Sequence, residues 1–245
     1  MPPGSTMEDR RLTGIVVSAS RALAAGGLAD LVWGHVSVRD PSDRGVWVKT
    51  FGPGLDEVST DDVVLVSPTG QILVGRKSAP LEWPLHTEVA ALRPDVNSVV
   101  HVHSAAVNAL TSTGQPIRPI SHEGTLFAFP DVPTFEETGS LITTRPLGSR
   151  LAEMLAGSRA CLMPRHGAVT VGQDVAEAVV TAVLLDRACS TQLAAMTTGF
   201  MLSWSSPAET AEKRSLLATQ KQFDAVYHLL ARKAGVRPHL LKPSG

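Results

Sequence analysis

An apolar run that ends in two histidines constrains this chain more than any other feature of its sequence. Residues Val99–His103 read Val-Val-His-Val-His. On a strand, successive side chains point to opposite faces of the sheet. His101 and His103 therefore share a face, about 6 to 7 Å apart along the strand. The sequence predicts a strand that carries two imidazoles on one side.

A third histidine lies in a separate segment. His166 stands between Arg165 and Gly167, next to apolar stretches on both sides. Two neutral imidazoles on one strand and a third from a distant loop can hold a divalent ion and leave coordination positions open. An open position suits a reacting carbonyl or carboxylate. The alternative for His101 and His103 is a chance pair, with one ring buried and the other solvated, but three histidines in this pattern favour a metal site.

An acidic residue is a candidate partner for these imidazoles. Glu82 opens a helix nineteen residues before His101, and His86 follows one turn later. Beside a metal, Glu82 can serve as a fourth ligand that also acts as a base. The alternative is an ordinary acidic residue in a first helical turn, stabilised by the helix dipole. His86 can share that helix face as a substrate-binding or a core residue.

Composition excludes several classes of function. The chain has 245 residues, of which 43% are hydrophobic, and a formal net charge of −1. These values fit one large domain spanning 1–245, with a core of about 8–232. No basic stripe indicates a nucleic-acid partner. The sequence shows no secretory signal and no charge-free apolar stretch of membrane-spanning length, so we expect a cytoplasmic protein that does not interact with membranes.

Hydrophobic periodicity predicts helices and strands in alternation. The predicted helices cover 7–26, 82–92, 105–112, 147–156, 207–233 and a long segment capped by Asp174 that runs to about Thr197. The predicted strands cover 36–40, 46–49, 61–66, 71–74, 98–103, 160–163 and 168–171, with short extended pieces at 127–129 and 132–133 and a loose tail after Pro238. Because the strands come in hairpin-like pairs, we expect an α/β fold whose sheet is largely antiparallel and covered by helices.

Several motifs together resemble the class II aldolase/adducin family, over about residues 8 to 232. These are Trp33–Arg39 (WGHVSVR), Glu82-Trp83, His101-Val102-His103, His166–Val169 (HGAV) and the long helix after Asp174. The resemblance implies a three-layer α/β/α domain with a mostly antiparallel central sheet, commonly a homotetramer with sites at subunit contacts. It implies His101, His103 and His166 as metal ligands, and Glu82 as fourth ligand and acid/base. One divalent ion per chain is expected: zinc, with manganese, cobalt or iron as alternatives.

The chain also departs from the family's phosphate-binding pattern. Those members have Gly-Asn where this chain has Gly34-His35, and Ser-Ser where it has Pro80-Leu81. A phosphate needs several N–H and O–H donors. Pro80 has no backbone N–H, and Leu81 has no hydroxyl group. The family aldolase places a tyrosine acid where this chain has His122. A second family tyrosine corresponds to Tyr227, the only tyrosine of the chain.

These departures favour a non-phosphorylated carboxylic acid as the small-molecule substrate. Decarboxylation and aldol cleavage both leave an enolate that a divalent cation stabilises. We therefore expect a metal-dependent decarboxylase, with a dihydroxy-aromatic acid of the dihydroxyphthalate type as the candidate substrate. The predicted catalytic residues are Glu82, His122 and Tyr227. The predicted substrate-binding residues are His35, Ser37, Arg76 and His86, with Arg76 or Lys77 pairing with a carboxylate.

Two alternatives remain open from the sequence. One is a class II aldolase that cleaves a hydroxy-keto acid or a sugar-derived substrate. The other is a non-enzymatic interaction module, since adducin keeps this fold without catalysis. Loss of the histidine ligands would mark the second case, but this chain retains all three together with Glu82.

Overall fold

A computed structural model describes residues 6–200 and 203–239 of the chain. Seven strands were found in this part, and their bounds follow. They are β1 (His35–Arg39), β2 (Val46–Lys49), β3 (Val63–Val66), β4 (Ile72–Val74), β5 (Ser98–Val102), β6 (Ala160–Met163) and β7 (Gly167–Gly172). They form one sheet in the order β4-β3-β2-β1-β5-β7-β6. Every neighbouring pair is antiparallel.

Seven α-helices were found in the described residues. They are α1 (Met7–Leu23), α2 (Trp83–Leu92), α3 (Ala105–Thr111), α4 (Arg145–Leu155), α5 (Val175–Met196), α6 (Pro207–Leu217) and α7 (Gln220–Lys233). Apolar residues of α1, α5 and α7 pack on one face, against Val100 and Val102 of β5. Those of α2 and α4 pack on the other face, against Val99. The predicted three-layer architecture with an antiparallel sheet is confirmed.

The alternation of β5 decides which layer holds the candidate site. Val100 and Val102 point to the α1 and α5 layer, so Val99 and His101 point to the α2 and α4 layer. β5 is paired with β1 on one side and with β7 on the other. The predicted metal-bearing strand is therefore central in the sheet.

Some predicted elements were wrong. The single helix over 207–233 is two helices, because the chain leaves the helical conformation at Ala218 and Thr219 then caps α7 by accepting the Gln222 N–H. Residues 127–129 form a turn after a short 3₁₀ helix, Glu123–Leu126, instead of an extended piece. The guanidinium of Arg214 donates to Thr125 O and Phe129 O and so holds this turn. Of the tail after Pro238, residues 240–245 lie outside the described residues.

The longest helix is apolar enough, by length and composition, to cross a membrane. α5 has a mean hydropathy of 1.2 in its most apolar window, half of which is buried within the protein. Val179 and Val180 pack in the same cluster as Val100, and Thr170 of β7 donates its hydroxyl to Ala178 O. α5 is therefore placed as the central core helix on the sheet.

Candidate metal centre

Four side chains converge at the end of β5. Glu82, His101, His103 and His166 each offer one ligand atom, and these atoms all lie within 4.8 Å of one another. The Nε2 atoms of His101 and His103 are 3.0 Å apart. Glu82 Oε2 lies 3.3 Å from His101 Nε2, and Glu82 Oε1 lies 3.6 Å from His166 Nε2. Tetrahedral ligands about 2.1 Å from one ion are about 3.4 Å apart, so these separations match a shared cation.

A tight turn delivers the third imidazole. The turn Met163–His166 is closed by the His166 N–H, which donates to Met163 O at 3.0 Å. Arg165 adopts a left-handed conformation there, with φ of 65°. A Cβ on the next residue, Gly167, would lie 2.1 Å from Val102 O. Only glycine lets β7 approach β5 this closely, and this explains the His-Gly pair in physical terms.

Glu82 reaches the cluster from the start of α2. Its side chain does not cap the helix; Oε1 accepts the Ile142 N–H at 2.8 Å. The carboxylate is only 3% exposed. Burial alone would raise the pKa of Glu82, but His101, His166 and the Ile142 N–H outweigh it and bring that pKa below its ordinary value. The carboxylate is thus ionised and available as a ligand or a base.

The donor set fits a divalent cation. Both ring nitrogens of His166 are buried and have no hydrogen-bond partner among the described residues. Burial lowers the pKa of His103, assisted by His101 and opposed by Asp30. A neutral imidazole offers a lone pair, and three of them with one carboxylate are ligands that zinc and its neighbours accept.

Two of the imidazoles donate a hydrogen bond from Nδ1, the ring nitrogen that does not take part in the cluster. The Nδ1–H of His101 donates to Ala168 O at 3.1 Å, and that of His103 donates to Asp30 Oδ2 at 2.9 Å. Asp30 is a site residue that the sequence did not indicate. It lies 73 positions before His103, in a stretch without a motif of its own.

A second pair of histidines packs behind the cluster. The His35 ring stacks on His101 at a centroid distance of 5.7 Å, and the His86 ring meets His35 edge-on at 5.7 Å. Ser37 Oγ lies 2.7 Å from His86 Nδ1. Burial, then the nearness of His101, lowers the pKa of His86 to about 3. The structure therefore brings His35, Ser37 and His86 together beside the cluster, with neutral rings.

Residues 15–193 match the Class II Aldolase and Adducin N-terminal domain. The chain belongs to the class II aldolase and adducin family. It is 33% identical to the 3,4-dihydroxyphthalate decarboxylase of Arthrobacter keyseri, over 89% of this chain and 92% of the relative. A 3,4-dihydroxyphthalate decarboxylase of Terrabacter sp. is 35% identical over 70% of this chain and 76% of its own length.

A solved structure of an aldolase has the same fold as this chain. The L-fuculose 1-phosphate aldolase of Glaciozyma antarctica PI12 superposes with a TM-score of 0.80 at 25% identity, covering 96% of this chain and 95% of that one. Decarboxylases and aldolases are both lyases that break carbon–carbon bonds. The predicted family and the predicted class of activity, a carbon–carbon lyase, are confirmed at this level.

Two predicted residues lie apart from the cluster that this class II aldolase fold assembles. Arg76 is exposed just after β4, an edge strand four positions from β5 in the sheet order, and Lys77 pairs with Asp62 at 2.5 Å. Strand spacing of about 4.8 Å separates β4 from β5 by about 19 Å. No hydrogen bond or ion pair joins Arg76 to the four residues of the cluster in the described part of the chain, and its contact with substrate stays a prediction. His122 is exposed and lines a groove with Val180 and Phe223, and none of the cluster's four residues is among the described residues that line it.

The predicted catalytic role of Tyr227 is also corrected. Its side chain is fully buried in the cluster formed by α1, α5 and α7, and its hydroxyl donates to Ser18 Oγ at 3.0 Å. Burial raises the pKa of Tyr227 above its ordinary value. A phenol enclosed in the core cannot touch a substrate. Tyr227 lies on the buried face of α7, where its ring packs in the hydrophobic core.

Apolar side chains occur beside the cluster. The Trp33 ring meets the His103 ring at 6.4 Å in an edge arrangement, and Trp33 is 46% exposed. Leu81, directly before Glu82, is 69% exposed. Trp33 therefore places an apolar ring beside His103, and Leu81 adds an exposed apolar side chain next to Glu82 in sequence.

Proposed function

We propose that this chain is a metal-dependent decarboxylase of a non-phosphorylated, dihydroxy-aromatic carboxylic acid. The observation that carries the proposal is the convergence of Glu82, His101, His103 and His166 within 4.8 Å. Two 3,4-dihydroxyphthalate decarboxylases among the relatives support the reaction and the substrate class. The intact cluster argues against an adducin-like module without catalysis.

The four converging side chains would hold one divalent ion, and we propose zinc. When bound, such an ion supplies Lewis-acid stabilisation of the negative charge that develops as the carbon–carbon bond breaks. Manganese, cobalt and iron are the alternatives, because imidazole and carboxylate ligands accept them as well.

Glu82 is proposed to move the proton. Its Oε1 is held by the Ile142 N–H, which leaves Oε2 facing the imidazoles. Loss of carbon dioxide must be followed by protonation of carbon. Glu82, ionised before substrate binds, would first accept a proton from a substrate hydroxyl group at Oε2 and then return that proton to carbon. In the aldol alternative the same Oε2 would accept a proton from a hydroxyl.

A substrate contact is proposed for His35, which is 7% exposed; Ser37 and His86 are 1% and 0% exposed and would act by positioning the His35 ring. The buried His35 Nδ1 and His86 Nε2 have no hydrogen-bond partner among the described residues. Neutral rings can donate to or accept from substrate hydroxyl groups. The exposed Trp33 and Leu81 suit an aromatic ring, while the Pro80-Leu81 pair lacks the donors that a phosphate would need.

A role for His122 as the acid requires a second copy of the chain, because His122 lies apart from the cluster in its own copy. We therefore propose a homotetramer of single-domain chains in the cytoplasm, with His122 of one copy approaching the cluster of the next. A sedimentation measurement of molecular mass, together with His122→Asn activity, would test this arrangement.

The reaction itself is tested by products. Purified, metal-loaded protein would be incubated with dihydroxybenzoic and dihydroxyphthalic acids while carbon dioxide is measured, and with hydroxy-keto acids while aldehyde is measured. We expect carbon dioxide from a dihydroxy-aromatic acid. Aldehyde without carbon dioxide would instead establish the aldolase alternative, which the similarity to an L-fuculose 1-phosphate aldolase favours. If neither carbon dioxide nor aldehyde forms while metal is bound, both the decarboxylase and the aldolase assignments are rejected.

A further inference from the structure

We propose that Asp30 is a positioning residue that fixes the orientation of His103 and thereby sets the metal affinity of the cluster. The inference rests on the proposed metal centre and adds a residue to it. Asp30 Oδ2 accepts the Nδ1–H of His103 at 2.9 Å. Donation from Nδ1 fixes the tautomer and leaves a lone pair for a cation on Nε2, which lies 3.0 Å from His101 Nε2.

The three imidazoles differ in what lies behind them. His101 donates to a backbone carbonyl, Ala168 O. His166 Nδ1 has no partner among the described residues. Of the three, only His103 has a carboxylate at its Nδ1, and a charged acceptor raises the basicity of a ligating imidazole more than a carbonyl does. Asp30 therefore strengthens His103 as a metal ligand.

His103 is also the ring that most needs orientation. Its side chain is 18% exposed, whereas those of His101, His166 and Glu82 are 0%, 5% and 3% exposed. Packing holds the other three side chains, but one side of the His103 ring is open. The hydrogen bond to Asp30 and the edge of Trp33 supply the constraint that packing does not.

The loop that carries Asp30 is itself held in place. The Trp33 N–H donates to Asp30 O at 2.9 Å, and Leu31 between them is left-handed with φ of 50°. The buried ammonium of Lys49 donates to Val32 O at 3.1 Å. A carboxylate on such a braced turn can act as a fixed acceptor for His103.

The experiment compares Asp30→Ala, Asp30→Asn and a matched control, Asp43→Asn. Asp43 is an exposed aspartate that is also left-handed in a turn, with φ of 54°. Cobalt affinity of the metal-free proteins would be measured by competition with a chromophoric chelator, and the visible absorption of bound cobalt would report ligand geometry. Loss of an outer partner of this kind weakens metal binding about 10- to 100-fold.

We expect Asp30→Ala to weaken cobalt binding by about that factor and to alter the cobalt spectrum. Asp30→Asn keeps an acceptor but loses the charge, so we expect a smaller loss, and Asp43→Asn should match the wild type. Urea unfolding of the metal-free proteins should give similar midpoints for all four, since a merely structural role would move the midpoint instead.

Wild-type affinity and spectrum in Asp30→Ala would overturn the proposal. His101→Ala, measured in the same assay, separates this outcome from failure of the metal centre itself. If His101→Ala abolishes cobalt binding and Asp30→Ala does not change it, the centre stands and the role of Asp30 is rejected. If His101→Ala binds cobalt like the wild type, the centre is rejected.

Discussion

His35 and His101 are direct partners across β1 and β5, and their rings stack with planes 29° apart. His35 is the residue that replaces asparagine in the family's phosphate-binding pattern. The side chain that differs from this pattern therefore lies against a candidate metal ligand, His101, and a substitution there acts directly on the proposed centre. The proposed substrate preference and the proposed metal centre are therefore physically linked at that contact.

Removing a proposed ligand should empty the centre. His101→Ala deletes the ring that lies nearest to both His103 and Glu82, and the remaining three ligands should hold a metal poorly. Metal analysis by mass spectrometry should give close to one transition ion per wild-type chain and almost none in the variant. His228→Ala, on α7 and outside the cluster, serves as the control. Equal metal content in wild type and His101→Ala would contradict the assignment.

Neutralising the proposed acid/base should slow turnover while the protein stays folded. Glu82→Gln keeps the size of the side chain and an acceptor for the Ile142 N–H but cannot exchange a proton. We expect kcat to fall by about two to four orders of magnitude, with an unchanged circular dichroism spectrum. Glu153→Gln, at an exposed position of α4, should leave kcat unaltered. Near-normal turnover in Glu82→Gln would remove that carboxylate from catalysis.

The buried His86 should make stability fall in acid. Burial, with the nearby His101, lowers its pKa to about 3 in the folded protein, whereas the unfolded chain has a pKa of about 6.5. Between these values the unfolded state binds more protons, so acid favours unfolding and stability rises with pH. Measured with metal chelated, the free energy of unfolding should lose up to about 1.4 kcal/mol per pH unit below about pH 6 relative to His86→Gln.

This comparison isolates one ring because the variant keeps every other titrating group. His228→Gln, which removes a histidine that is not fully buried, should show the same acid dependence as the wild type. A difference between wild type and His86→Gln that does not vary from pH 4 to pH 7.5, about the range in which an ordinary histidine titrates, would show that His86 is not held neutral.

Tyr227→Phe tests the corrected role of that residue. The substitution removes a buried hydroxyl and its hydrogen bond to Ser18, which should cost about 0.5 to 1.5 kcal/mol in the free energy of unfolding. Because the ring is enclosed among α1, α5 and α7, we expect kcat and KM to stay within twofold of the wild type. A large loss of kcat with unchanged stability would return Tyr227 to the catalytic residues.

The sequence predicted the part of the site that local geometry determines. Alternation at the end of β5 places His101 and His103 on one face, and the turn before Gly167 places His166, so these three members of the cluster could be predicted from short motifs. Asp30 and Ile142 could not, because they meet their partners across 73 and 60 residues. Such contacts depend on how loops cross the finished sheet.

Local patterns also explain the errors. Residues on both sides of Ala218 favour helix, so periodicity alone predicts one continuous helix where the structure has α6 and α7. Thr219 is the N-cap of α7 and marks the start of the second helix. Family correspondence assigned Tyr227 a chemical role, but only tertiary packing reveals that its ring fills the core. The charge of Arg76 suggests a substrate contact, but charge alone does not determine where a side chain lies: Arg76 follows the edge strand β4.

The central position of β5 has a consequence for how the centre would lose its ion. A strand that is hydrogen-bonded on both sides does not fray, so the backbone of His101 should exchange its amide hydrogen only on global unfolding. Ion release under native conditions would then proceed through motion of the His103 ring, the most exposed of the four side chains. Chelators should strip the folded protein at a rate set by side-chain rotation, and hydrogen exchange at β5 should not accompany that loss.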